Sequence, residues 1–350
     1  MSFEKPYPPD PITYAHYDAL VDALEARLGP GAKGFNLDAT LIANTRGNTW
    51  EPQPGNVQQA IDDLYSEEGG AVFLPRATLE ETQPWVLDQA KPVYLLGRGI
   101  CWHEGEQGTL VRFQLAPGVD AVQVGASEQT HFGGMRDLAL VGVSGTGDLV
   151  HLGGVTDWMV ERVYLNQAKA HGVHVEAGLQ CWNLWFTRCL VENSSGAAIR
   201  LDAAEDDIVK VHVAHCYFYW NGVDVEAGAL GGVGGRVRYL SLGHNQHFQT
   251  QGPSLRLYRR VEAVNVVAPT VYQPTGAAVE VGDDGEANKC SRLNLVSLLV
   301  EGGGVTPVGV DLGGYTSQVV LDSSQIWGCG QALQTGPQTS DIVVGEVLQA

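Results

Sequence analysis

The chain has 350 residues, 44 % hydrophobic and 17 % charged, a balance that excludes a disordered polymer. A formal net charge of −19 excludes nucleic acid as a partner, whose phosphates require a basic face. The same acid-rich balance suits a protein kept soluble in high salt and points to a halophilic source. No stretch reaches the roughly 20 apolar residues of a membrane span. The N-terminus lacks a basic region followed by an apolar core, so no ordinary export signal is expected.

Residues 1–10 are proline-rich and read as extended. From Ile12 to Leu28 the pattern turns helical, with Tyr17, Val21, Leu24 and Leu28 spaced as a heptad-like seam, and Gly29-Pro30-Gly31 ends it. The seam is either a short oligomerisation helix or a helix packed on the main body. Residues 31–55 lack periodicity, which makes 1–55 a linker or attachment segment. Asn56 then caps an amphipathic helix carrying Val57, Ala60, Ile61 and Leu64 on one face.

The helix leads into Gly69-Gly70-Ala-Val-Phe-Leu-Pro75 and Pro92-Val-Tyr-Leu-Leu-Gly97 with Gly99. At these residues the chain resembles the pectate-lyase-like superfamily, and in character the β-helices of phage tailspikes and fibres. The resemblance covers about residues 56–340. It implies an all-β fold, a right-handed parallel β-helix whose open end the helix caps. It leaves residues 341–350 as a C-terminal tail.

The coils beyond this entry repeat. Glu161-Arg-Val-Tyr-Leu-Asn166, Thr187-Arg-Cys-Leu-Val-Glu-Asn193 and His215-Cys-Tyr-Phe-Tyr-Trp-Asn221 are short β-rich runs ending on Asn. Each is followed by a second strand: Val173-His-Val175, Ile199-Arg-Leu201 and Val223-Asp-Val225. A period in the high twenties signals a solenoid, because one unit cannot bury its apolar face alone. About ten coils at the ~4.8 Å strand spacing give a rod of about 50 Å. Asn166, Asn193, Asn221 and Asn245 form the expected turn ladder, since Asn tolerates positive φ. Aligning Arg162, Arg188 and His215 places Val160, Phe186 and Val213 in one inward column, and Trp158, Leu184 and Val211 in another. Met159, Trp185 and His212 then point outward.

Trp182, Trp185, Tyr219 and Trp220 are the candidate ligand-binding residues, because an exposed aromatic face matches the apolar face of a sugar ring. The competing reading buries them under insertions or a subunit contact. Glu176, Asp202 and Glu226 each follow a second strand and are expected in one column. There they form an acid–base pair about 5 Å apart, a Ca²⁺ site, or simply a solvated acidic flank. No other cofactor is indicated. The His-x-x-His spacings at His171/His174, His212/His215 and His244/His247 are not read as metal sites, because i and i+3 face opposite sides of a strand. Cys189 and Cys216 fall one coil apart, as two buried thiols or an inter-coil disulfide.

The resemblance brings no catalytic residue with it. Polygalacturonase-type β-helices carry Gly-His-Gly, whereas Gly243-His244 here is followed by Asn, and Asp206-Asp207 falls in the wrong part of the coil. Two functions remain: a virion spike or fibre recognising a host-surface glycan, or a lyase or glycoside hydrolase acting on an acidic or complex polysaccharide. The missing export signal favours the virion. The tailspike resemblance implies a homotrimer, attached to other virion proteins through residues 1–55.

Overall fold

The computed structural model describes residues 56–66, 70–100, 108–229, 234–282, 285, 289 and 290–349. The N-terminal segment, the helix expected at 12–28 and Cys101 lie outside the described residues. The rest is a parallel β-solenoid of ten turns. Its strands form a 20-stranded sheet and a ten-stranded sheet, every pairing parallel. Among the described residues no helix is long and apolar enough to cross a membrane.

One coil shows how the chain turns. From the ten-stranded sheet (Val173–Glu176) it passes into Cys181–Thr187, bends at Arg188, continues as Leu190–Glu192 and bends again at Asn193. Asn183, Arg188 and Asn193 all have φ between 55° and 58°, and the triple recurs one coil later at Lys210, His215 and Trp220. A left-handed residue costs about 1–2 kcal/mol outside Gly. What offsets it is the ladder, which runs unbroken through the corners: Arg188 N donates to Ala214 O at 3.0 Å and Asn193 N to Tyr219 O at 3.0 Å.

Between corners the side chains alternate, and the predicted inward columns are observed. Phe186 pairs with Val160 and Val213, and Leu184 with Trp158 and Val211, all buried. Stacking identical positions gives each core residue an apolar neighbour above and below. The helix Asn56–Ser66 lays Val57, Ala60 and Ile61 on the first coil. Its Gln58 pairs both ways with the edge backbone: Val86 N donates to Oε1 at 2.7 Å and Nε2 donates to Val86 O at 3.2 Å. The cap thus covers an edge strand that would otherwise be free to pair.

Two expectations are corrected and one alternative is decided. The tail expected at 341–350 is part of the solenoid over 341–349, since Ser340–Val344 and Val347–Gln349 pair with Thr316–Asp322 and Ser324–Trp327 as the last described coil. Cys189 and Cys216 are both free, buried thiols; burial pushes the Cys216 thiol up. The Asn ladder shrinks to one pair, with Asn193 Nδ2 donating to Asn166 Oδ1 at 3.0 Å. Asn221 lies one residue past the left-handed corner at Trp220 and turns inward. It accepts from Ser194 N at 3.0 Å and donates to Val191 O and Asp224 Oδ1, each at 3.1 Å. Asn245 belongs to the preceding corner, where it accepts from Cys216 N and donates to Val213 O, both at 2.9 Å.

Candidate functional site

Trp182 and Trp185 project from the outer face of Cys181–Thr187 because the left-handed Asn183 resets the alternation between them. Both are exposed, at 43 % and 40 %. Trp185 stacks on His212 of the next coil, with centroids 4.0 Å apart, and donates from Nε1 to Asn183 Oδ1 at 3.1 Å. Lys210 Nζ lies 4.9 Å over the Trp182 ring, a cation–π contact. Burial and the Lys210 charge both keep the His212 imidazole below its usual range.

Tyr219 and Trp220 occupy the far side of the Arg188/His215 corner. Tyr219 stacks on Phe248 at 4.6 Å, and Trp220 Nε1 donates to Gln249 Oε1 at 2.8 Å. The four predicted aromatics therefore form two sets, not one. Between them in register lies an open pocket of about 510 Å³ lined by Arg188, His215, Tyr217, His244 and Gln246. His215 and His244 occupy equivalent corners on successive coils and stack parallel, 5.3 Å apart. Tyr217 is 44 % exposed, and Arg188 reaches only as far as Glu161, at 3.5 Å. These lining residues escaped the sequence reading, although the Arg188/His215 alignment already marked one wall.

The carboxylates are placed differently from expectation. Glu176 does face Asp202, but Glu226 pairs with Arg200, two positions away. The outer face of the ten-stranded sheet instead carries a column of ionisable groups, His151, His174, Arg200, Glu226, Arg256, Glu280 and Asp311, whose charge alternates from Arg200 to Glu280. Asp202 is its hub. It accepts from His174 Nε2 at 3.1 Å, Arg200 Nε at 2.6 Å and the Tyr258 hydroxyl at 2.8 Å. Burial would raise its carboxyl, but these donors hold it down at about 2. Burial likewise opposes charging of His174, yet Asp148 and Asp202 on its two nitrogens raise it to about 9. Glu226 bridges Arg200 at 3.2 Å and Arg256 at 3.3 Å. Asp202 and Glu226 are thus engaged by cations. An acid–base pair needs one carboxyl held protonated, and the depressed Asp202 is the opposite.

His151 and His174 come from adjacent coils and pair directly in register, each flanked by aspartates, Asp120 and Asp148. The expectation that His171 and His174 face opposite sides is not met, since their rings lie 5.2 Å apart; His171 accepts from Ala197 N at 2.8 Å, and burial keeps its imidazole low, at about 4. What that reading missed was the inter-coil pair.

No protein-family model and no curated protein matches the chain. Solved structures do. ORF18 of Geobacillus virus E2 is similar at a TM-score of 0.62 and 14 % identity, covering 97 % of this chain and 65 % of its own. An endo-xylogalacturonan hydrolase from Aspergillus tubingensis is similar at 0.59 and 11 % identity, covering 85 % and 92 %. A mutant tailspike protein of E. coli bacteriophage HK620, in complex with pentasaccharide, is similar at 0.51 and 12 % identity, covering 86 % and 63 %. The chain therefore spans about 65 % of the length of the Geobacillus virus protein. At these identities the likeness is one of fold, and the fold is the parallel β-helix of pectate-lyase-like and tailspike proteins.

Proposed function

We propose that the chain is a virion spike or fibre protein, assembled as a homotrimer, whose β-helix binds a host-surface glycan along the corner formed by Arg188, His215 and His244. The observation that carries this reading is the open pocket with stacked aromatic sets on both flanks. Flat, exposed rings whose edges are held by neighbours offer stacking platforms at low ordering cost. Arg188 favours a sugar bearing a carboxylate, and the two imidazoles, the Tyr217 hydroxyl and the Gln246 amide supply further hydrogen bonds. Binding without cleavage is the better reading of the site, because Asp202 and Glu226 on the other sheet are engaged by cations. The phage proteins among the similar structures fit a virion component, as does the HK620 tailspike with its bound pentasaccharide. Residues 1–55 are the proposed link to other virion proteins.

The test is binding of the purified protein to host cells and to an array of neutral and uronate-containing glycans. Trp185→Ala and Tyr217→Ala lower binding at least about 10-fold, each removing roughly 1.4 kcal/mol or more of stacking and contact. Melting temperature stays within about a degree or two, since both side chains are exposed. Retained binding by both variants refutes the site. Loss of chain length from the glycan refutes the non-cleaving reading.

A further inference from the structure

Near the N-terminal end of the ten-stranded sheet's outer face, three donor atoms from two adjacent coils converge, and Asp120 of the coil before lies beside one of them. Asp148 Oδ2 lies 2.8 Å from His174 Nδ1 and 3.8 Å from His151 Nδ1, and Asp120 Oδ2 lies 3.0 Å from His151 Nδ1. Asp148, His151 and His174 place one ligand atom each within 4.8 Å of one another. We propose that Asp120, Asp148, His151 and His174 form a binding site for a divalent transition-metal ion of the zinc type. The site is separate from the proposed glycan pocket, and neither depends on the other.

The donor set decides the kind of ion. Two imidazoles and two carboxylates suit Zn²⁺ and its neighbours, whereas Ca²⁺ takes six to eight oxygens, which this cluster does not offer. Zinc–ligand bonds of about 2.0–2.1 Å in a tetrahedron put donors roughly 3.4 Å apart. Within the triad of Asp148, His151 and His174, the separations of 2.8 and 3.8 Å bracket that edge, and Asp120, 3.0 Å from His151, is placed to swing in as the fourth ligand.

The outer contacts separate this cluster from an ordinary acidic patch. Asp120 Oδ1 accepts from Asp148 N at 2.8 Å, which leaves Oδ2 for the site. Asp148 Oδ1 accepts from His171 N at 2.8 Å, again leaving Oδ2. His174 Nε2 donates to Asp202 Oδ2, itself held by Arg200, so Nδ1 is the nitrogen turned inward. A carboxylate on the far nitrogen is how ligating histidines are oriented and made more basic. Parallel register between coils fixes the spacing, since His151 and His174 are directly paired positions. His151 and Asp120 keep about a fifth of their side-chain surface exposed, which gives the ion an entry path, while Asp148 is buried beneath them. In the metal-free chain a proton on His174 Nδ1 bridges to Asp148. The ion takes that proton's place, and the proton leaves to solvent.

The experiment uses the full chain, stripped with EDTA and titrated with Zn²⁺ and separately with Co²⁺. One equivalent of Zn²⁺ binds per chain with micromolar or tighter affinity, raises the melting temperature, and is removed by EDTA. Bound Co²⁺ gives the intense visible bands of a four-coordinate N/O site. His151→Gln and Asp120→Asn, both at partly exposed positions, each weaken Zn²⁺ by about 100-fold or more, and Asp202→Asn, acting only through His174, by about 10-fold. If His174→Gln fails to fold, the His151 and Asp120 variants still decide the matter. No binding up to millimolar Zn²⁺ overturns the proposal and leaves His174 as a salt bridge between two aspartates. Binding that is undiminished in His151→Gln and Asp120→Asn overturns it too, by placing the ion elsewhere.

Discussion

Replacing Asp202 by Asn keeps the shape of the side chain and removes its charge. The carboxylate is 2 % exposed and accepts from an imidazolium, a guanidinium and a phenol. Its folded pKa of about 2 lies below the ordinary 3.8, so ionisation is linked to folding. A gap of nearly two units is worth about 2 kcal/mol at about 1.4 kcal/mol per unit. The Asn variant should lose about that much at pH 7, because the amide approximates the protonated acid. Asp202→Ala should lose more, about 3 kcal/mol, because it also leaves the part-buried Arg200 and His174 without the acceptor they share. The sign also fixes a pH window. A depressed carboxyl stabilises above its unfolded pKa and loses that contribution as pH falls through the folded value, so the wild-type advantage over Asn should be roughly halved by pH 3 and down to about 0.4 kcal/mol near pH 2. Urea unfolding of EDTA-treated protein, followed by total tryptophan fluorescence, reads the difference from the midpoints. A loss below about 0.5 kcal/mol at pH 7, or one independent of pH, refutes the hub.

Four other outcomes follow from the same geometry. Asn221→Ala should cost about 2–3 kcal/mol by stranding Ser194 N and Val191 O, and Asn193→Ala about 1 kcal/mol, chiefly from its left-handed backbone; thermal melts that reverse this order contradict the corrected ladder. His174, raised to about 9, stabilises fully below its unfolded value near 6.5. With metal removed, that contribution should fade as pH rises through 9, and His174→Gln should flatten the curve. At −19 net charge the chain repels itself in dilute buffer, so melting temperature should climb from low to multimolar KCl; a flat or falling curve removes the halophile argument. Light scattering should return three times the 37.5 kDa chain mass, falling on deletion of residues 1–50, and a monomer at high salt refutes the trimer.

The solenoid was legible because its core repeats. Val160, Phe186 and Val213 fall into one column once Arg162, Arg188 and His215 are aligned, and the structure keeps that alignment. Counted from those three residues, however, the Asn side chains come four, five and six positions later. Only Asn193 is therefore a left-handed corner, with Gln167 and Trp220 as its true equivalents. Residue identity outweighed the count. Glu226 was misplaced for a different reason. Val223, Val225 and Ala227 are all buried, and a period of two cannot tell a strand from the same strand slipped by two residues. Only Asp148 and His151 of the metal cluster share a coil, three residues apart, and their partners come from coils 23–31 residues away. Its trace is the His shared by Val150-His-Leu152 and Val173-His-Val175.

The corners themselves bear on where a ligand would dock. Gly or Asn satisfies a left-handed turn at least cost, yet this chain places Phe132, His215, Trp220, Tyr239 and His244 there, with φ from 52° to 60°. Each such residue carries about 1–2 kcal/mol of backbone strain. Their rings gain little from burial in return: Phe132, Trp220 and Tyr239 are 58 %, 47 % and 51 % exposed. A corner needs only its backbone conformation, so neither turn geometry nor packing accounts for a bulky ring there. Strain held at an exposed position is what a binding surface accumulates. His215→Asn and His244→Asn together should raise the melting temperature slightly by relaxing two corners, while weakening glycan binding by removing the stacked wall of the pocket. Unchanged binding alongside higher stability would mean that these rings serve no ligand, and the proposed site would have to move off this corner.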